Sequence, residues 1–596
     1  MLHSKQHLKI MKFSKISLYV AAVLSITGAS CSDSYLDKEV DLTLQPEFVF
    51  SDFNMTRGVY ANIYTYLPDA FAGFSDTQFR LSQDCMTDNS IDYWGVARYH
   101  SVMDDAYDAS NHWFASDIWK NRYNGIRACN QFLANAKPSV IGNAEKPGDD
   151  NKLYDRWCAE VRVIRALLHF DLIGYFGAIP LVADDEEGNP IILSPGMTLP
   201  ERTPAEEALK WVADEMDIWK DKLPFRYANE DENWGRVNGA AAYALKSRAL
   251  LYRASALNNP SGDKGRWQEA AQAALDFITK NNTVANKYRL HRTTDNDPQK
   301  NYYDVFTSDP VMSNEYILSR SVWNTLNLVY FNGPCGFSGK LSNTGYNNPT
   351  QNLVDAYETT KGLTIENDPD YDPQNPYANR DPRLAQTIFY HGMTWGDGDE
   401  ARQLDMHLPD GIDYSRGNGG TCTGYYCKKY VHNIRFDGTV GNQRVACPIF
   451  RYAEILLNAA EALTEAGQAP QAYQYINELR DRVGMPAYSG MNDAQLLERI
   501  RNERRIELCF EDHRFFDCRR WKLFEGKTPA SEKNQPRYQQ VYNLYGVTIN
   551  TEGDFTYGLS EKYSSQTFNS PKNYYFPVPF SEIQKTGMPQ NTGWEM

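Results

Sequence analysis

The sequence predicts an all-α-dominated protein in which helix pairs pack on one another and carry a loop-rich, irregular lobe. Three observations lead there. Apolar residues recur at intervals of three and four through most of residues 48–278 and again through 452–516. One alanine-rich helix has a similar copy far downstream, each followed by a turn and a second helix. Between the two copies the periodicity fades, and Asn, Asp, Gly and Pro become dense, as in a long functional loop region.

Taken in order, residues 1–30 hold four lysines, no acid and the apolar run Ile16 to Ile26, closing on Gly28-Ala29-Ser30-Cys31. That run is too short for a permanent membrane span and has the form of a signal peptide. Without it the chain carries 57 basic against 76 acidic groups, a net −19. So acidic a chain argues against nucleic acid, whose binders present basic patches to phosphate. With 39 Tyr and 12 Trp in 596 residues, most of the chain has the means to build a core. An uncharged, hydroxyl-rich ligand suits such a composition better than a polyanion.

Residues 31–45 read as an acidic tether, with Asp33, Asp37 and Glu39. A helical part over 46–280 begins with a helix from Phe48 to Tyr66, stopped by Pro68. A second helix starts near Ser110, read as its N-cap, and runs to Ala136. Leu153, Trp157, Val161, Ile164, Leu168 and Leu172 mark a third. Thr203-Pro204-Ala205-Glu206 has the form of a capping box before a fourth, which Pro224 ends. Gly239 to Leu257, apolar nearly all round, should be packed on both sides. Trp267 to Ile278 supplies its partner.

The lobe spans 281–450. Helices return over 451–526, at Tyr452 to Ala466, Pro470 to Val483 and Asp493 to about Phe516, and an irregular tail fills 527–596. Arg248 to Asn258 matches Glu454 to Thr464, and such pairs with small residues at the crossing look like tetratricopeptide units. Ten of the twenty side chains from Asn502 to Trp521 are charged, yet Ile506, Cys509, Phe510, His513 and Phe516 share one helix face. On one continuous helix Arg504 would meet Glu507, and Arg514 would meet Glu511 and Asp517. Nine cysteines follow Cys31 without a zinc pattern; Cys422 and Cys427 are close enough in sequence to bridge a turn, and most of the others read as small buried residues.

The stretch 502–521 resembles the C-terminal signature of the SusD/RagB family, glycan-binding lipoproteins of the Gram-negative outer surface. So do Glu160 to Phe170 with Phe176-Gly177 and Ile179-Pro180, Gly235-Arg236-Val237, Asn379 to Leu384, and Ile476 to Gly484-Met485. The resemblance covers nearly the whole mature chain. It implies a SusD-like fold on tetratricopeptide-like pairs, acylation of Cys31 as an outer-membrane anchor facing outward, capture of oligo- or polysaccharide, and a SusC-like TonB-dependent transporter as partner. It implies binding without hydrolysis and no cofactor.

Chemical motifs are few. HExxH, GxSxG and paired CxxC are absent from the sequence, and Gly339-Lys340 lacks the Ser/Thr of a phosphate loop. Asp368-Pro-Asp370-Tyr-Asp372 starts like a calcium loop but has Pro373 at the glycine position. Asp397, Asp399 and Glu400 form an oxygen-rich turn and are the weak metal candidates. Glycan binding needs flat aromatic faces beside planar hydrogen-bonding groups. Three stretches offer that: Asn89, Asp92, Tyr93 and Trp94 in the first loop, Trp323 with Asn324 in the lobe, and Trp395 beside the acidic turn. The family resemblance favours Trp94 and Trp323 as the platform. A surface-anchored glycoside hydrolase, or a binder of peptide or glycoprotein, are the rival readings.

Overall fold

The computed structural model describes residues 45–71, 83–94, 97–111, 113–142, 152–193, 199–228, 230–323, 325–337, 345–416, 419–433 and 443–595. Cys31 and the tether up to residue 44 lie outside them. Ten helices form the scaffold: α1 (Phe53–Ile63), α2 (Trp113–Asn135), α3 (Lys152–Phe176), α4 (Ala205–Trp219), α5 (Gly239–Ala254), α6 (Lys264–Asn281), α7 (Tyr452–Glu465), α8 (Ala469–Arg482), α9 (Asp493–Leu508) and α10 (Arg514–Arg520). Each of α2 to α8 packs on the next, and α7 also meets α9. The run of neighbours passes from α6 directly to α7, so the lobe is let into a continuous helical stack.

Small residues bring the helices of that stack together. Ala240, Ala241, Ala242 and Ala244 of α5 and Ala453, Ala459, Ala460 and Ala462 of α7 are all buried. The two sequence copies meet at equivalent positions: Arg248 donates to both carboxylate oxygens of Glu454, at 2.6 and 2.5 Å. Next to them Asn458 donates to Ser247 Oγ at 3.2 Å.

Three pieces of local structure differ from the sequence reading. The first helix is broken at Asp52, whose side chain accepts from Met55 N and starts α1 afresh. Before α2 the turn is organised by Asp108, which accepts from Ser110 N at 2.7 Å and Asn111 N at 2.8 Å, and helix begins only at Trp113. Thr203 does not cap α4, because it pairs in a short strand with Ile179 and Pro204 takes the cap position.

The lobe also holds more regular structure than its composition suggests. β1 (Ser90–Ile91) pairs with Asn348–Pro349. β2 (Tyr316–Trp323) and β3 (Arg444–Arg451) form an antiparallel ribbon from Tyr316↔Arg451 to Trp323↔Arg444. β4 (Tyr545–Ile549) and β5 (Phe555–Leu559) form a hairpin in the tail, and Val547 N donates to Thr423 O of the lobe at 2.9 Å. Cys422 and Cys427 are free thiols.

The largest departure is in the charged stretch, which is two helices rather than one. α9 stops at Leu508, and Phe510 and Asp512 take left-handed conformations, φ 60° and 63°. The expected pairs between close neighbours in sequence give way to long-range ones. Glu507 accepts from Arg383, Arg451 and Arg482 at 3.1, 2.7 and 2.6 Å. Glu511 accepts from Lys429 and Arg451, both at 2.6 Å. Arg504 reaches Asp517 at 3.0 Å, and Arg520 reaches Glu461 at 2.6 Å. Arg383 and Asp381, from the Asn379 to Leu384 motif, pair at 2.7 Å within the same network. Helix stack, ribbon and lobe thus share one buried set of charges.

Burial alone would raise the Glu507 carboxyl, but the guanidiniums of Arg482, Arg451 and Arg383 outweigh it and hold it well below the usual carboxylate range. Removing that charge takes one partner from each of three buried cations. Glu507→Gln should therefore cost about 3–5 kcal/mol of stability, read as a lowered denaturant midpoint; a midpoint equal to the parent's would contradict the network's role.

Candidate functional site

The loop carrying the sequence-predicted aromatics is fastened from inside. Asp88, fully buried, accepts from Arg514 Nε and Nη2 at 2.8 and 2.7 Å and pairs with Arg505 Nη2 at 2.9 Å. Asn89 accepts from Arg505 Nε at 2.7 Å and donates to Asp84 at 2.8 Å. Thr350, just beyond the strand paired with β1, donates its backbone N–H to Asn89 O and its hydroxyl to Asp88 O, at 2.9 and 2.5 Å. Two residues of the signature helices and one of the lobe therefore fix the loop's base.

From that base the chain rises to the surface. Asp92, 1% exposed, accepts from Trp94 N at 3.0 Å, a side-chain turn that sets the direction of the indole. Trp94 is half-buried and stands edge to face with Tyr93 at 5.6 Å and tilted against Tyr346 at 6.2 Å. Phe331 supports Tyr346 edge-on at 5.4 Å. Tyr93 has the Lys562 ammonium over its ring at 4.4 Å, while its hydroxyl lies 3.3 Å from Ser415 Oγ. Gly420 is needed on its other side, since a Cβ there would come within 2.9 Å of the Tyr93 ring and 2.8 Å of Tyr414 O.

Several predicted contacts change role. Asn89 and Asp92 are buried and occupied with Arg505, Asp84 and the Trp94 backbone, so they position the loop and do not face a ligand. Trp395 is 5% exposed, packed edge-on against Phe389 at 4.7 Å with Lys428 Nζ at 5.4 Å, which makes it core. Trp323 ends β2 in register with Arg444. Its side chain, and Asn324, lie outside the described residues, and so does the expected pairing of Trp323 with Trp94. Asp397, Asp399 and Glu400 sit in a surface turn, and among the described residues no three His, Cys, Asp or Glu side chains converge to hold a metal ion. Sequence reasoning missed Tyr346, Ser415 and Lys562, which reach the site from distant segments and carry no local signal.

The comparisons fit this architecture. A model of the SusD family matches residues 308–594. SusD-like protein P38 of Formosa agariphila is 32% identical over 64% of this chain and 70% of its own length. The chain belongs to the SusD family. A SusD-like protein of Bacteroides fragilis, solved by crystallography, superposes with a TM-score of 0.71 at 26% identity, covering 94% of this chain and 99% of its own. A SusD-like carbohydrate binding protein of the same organism superposes at 0.67 with 23% identity, over 90% of this chain and 99% of its own.

In this SusD-family chain the turn between α9 and α10 borders a polar cavity of about 90 Å³, lined among others by Asp69, Asp171, Gln83 and Asp512. Asp84, at the base of the Trp94 loop, accepts from Phe510 N at 2.6 Å, and burial raises its carboxyl to about 6. With its amide turned toward the cavity, Gln83 donates to Asp512 at 2.9 Å and accepts from Tyr175 OH at 2.6 Å. Burial, then the nearby charges of Asp84, Asp171, Asp69 and Glu511, raises the Asp512 carboxyl well above its ordinary value.

A carboxyl that titrates higher folded than unfolded lowers stability above its unfolded pKa near 4, and stability falls as pH rises through that range. Asn tolerates the left-handed backbone at 512 at least as well as Asp. Asp512→Asn is expected to raise the melting temperature at pH 8, with the gain closing as pH drops below about 4. Equal melting temperatures at pH 8 would refute the raised carboxyl.

Proposed function

We propose that the protein binds an oligo- or polysaccharide at the outer cell surface, anchored through Cys31, and hands it intact to a SusC-like TonB-dependent transporter. The observation that carries this is Trp94: an indole kept half-exposed, with its backbone turned outward by buried Asp92 and its loop bolted to buried arginines. A sugar ring presents an apolar C–H face and equatorial hydroxyls, and a rigid indole beside hydroxyl and ammonium groups matches both. Ser415 and Lys562 stand on the polar side, next to Tyr93. Because the loop is ordered before ligand arrives, binding spends little on arranging it. The Bacteroides fragilis neighbour, a SusD-like carbohydrate binding protein, supports the same reading. Equilibrium capture needs no cofactor and no bond-breaking step.

The test is affinity electrophoresis of the mature chain in gels containing laminarin, xylan, mannan or polygalacturonate. The parent should be retarded by at least one, and Trp94→Ala should weaken that retardation about tenfold or more, as loss of a buried aromatic anchor does. Undiminished binding by Trp94→Ala would remove the assigned platform, and sustained release of sugar by the parent would favour a hydrolase instead. For the anchor, Cys31→Ser should move the protein from the membrane fraction to the soluble periplasm; retention at the cell surface would exclude acylation there.

A further inference from the structure

A second aromatic surface lies where the lobe meets the tail hairpin, built from residues that the Trp94 site does not use. Tyr390 stacks on Tyr377 with ring centroids 4.1 Å apart and planes 21° from parallel. Phe555, the first residue of β5, meets Tyr377 edge to face at 5.8 Å and the His391 imidazole at 6.4 Å. All four rings are half-buried, and Tyr377, Tyr390 and Phe555 pack over a buried cluster that includes Tyr357, Ile388 and Tyr425.

The rings are held in place from several directions. Gln374 donates to Phe555 O at 3.0 Å and accepts from Phe555 N at 2.8 Å, so one amide clamps the strand end. Tyr377 OH donates to Tyr425 OH at 3.3 Å, and Tyr557 OH donates to Pro373 O at 2.7 Å. His391 Nδ1 accepts from Met406 N at 3.1 Å. Among the described residues the Tyr390 hydroxyl and His391 Nε2 have no protein partner. Burial lowers the His391 pKa, so near neutral pH the ring is an uncharged imidazole, a hydrogen-bonding group without a fixed charge.

We propose that Tyr390, Phe555 and His391 form an accessory platform for a neutral carbohydrate chain, a second grip on the polymer bound at Trp94. The ring faces are pre-ordered against one another, so stacking a sugar on them costs little side-chain entropy. Their margin is amide, imidazole and phenol rather than aliphatic, which matches sugar hydroxyls better than the apolar core of a protein interface. Two modest sites on one rigid body bind a long chain more tightly than either alone, because the second contact is made at high effective concentration.

The inference rests on the proposed function, and the experiment separates the two. The mature parent, Tyr390→Ala, Tyr390→Phe and Trp94→Ala are run in the same laminarin, xylan, mannan and polygalacturonate gels, with melting temperatures as the folding check. Tyr390→Ala should weaken retardation by the polymer between about twofold and tenfold, the range of one aromatic contact. Tyr390→Phe, which keeps the stack and removes only the hydroxyl, should lose less than Tyr390→Ala does. If Trp94→Ala binds normally while Tyr390→Ala does not, the principal platform is wrong and this one stands. Migration of Tyr390→Ala identical to the parent in all four gels overturns it. So does loss of transporter co-purification by Tyr390→Ala with sugar binding intact, which would make the cluster a protein-docking surface.

Discussion

The buried ion pairs around Glu507 and Asp88 are the constraint on which the rest of this structure depends. Each sits where water cannot compensate it, and each pairs with residues from other parts of the chain. Such pairs add little net stability compared with a well-packed apolar core, but they exclude alternatives, because any arrangement that separates them leaves an unpaired buried charge. Here they set the relation of α9 and α10 to the β2–β3 ribbon, to the Asp381-Arg383 turn and to the Trp94 loop. In this chain, specificity of arrangement is what the charges contribute.

The scaffold was readable from sequence because its signal is local. α3 and α5 announce themselves through apolar spacing and alanine content, and the contact of Arg248 with Glu454 fits the repeat of the two alanine-rich helices. The break between α9 and α10 was not readable. Ile506, Cys509, Phe510, His513 and Phe516 keep helical spacing straight through it, while the pairing that wins comes from Arg451, Arg482 and Asp88, far away in sequence. The β2–β3 ribbon escaped for the same reason, since each strand's partner lies outside any local window.

The site was legible in outline and misread in detail. A loop rich in Asn and Asp with adjacent Tyr and Trp points to a surface, and Trp94 is indeed half-exposed. Polarity alone cannot tell a group that meets solvent from one that meets a buried guanidinium. Asn89 is of the second kind, Asp92 is buried on the Trp94 backbone, and the arginines that satisfy Asn89 and its neighbour Asp88 lie more than four hundred residues downstream. Trp395 beside an acidic turn looked equally exposed, yet Phe389 and Lys428 enclose it. The stack of Tyr377 and Tyr390 left no trace in the sequence beyond two tyrosines in a long irregular stretch.

The bond from Arg514 to Asp88 joins positions 426 residues apart. A chain emerging from the ribosome N-terminus first presents the Trp94 loop long before its fastener exists, and closing so long a separation comes late in folding. A polypeptide truncated before Arg505 and Arg514 would hold the earlier helices of the stack yet lack the fastener of the Trp94 loop. The architecture therefore ties the formation of this loop to completion of the chain.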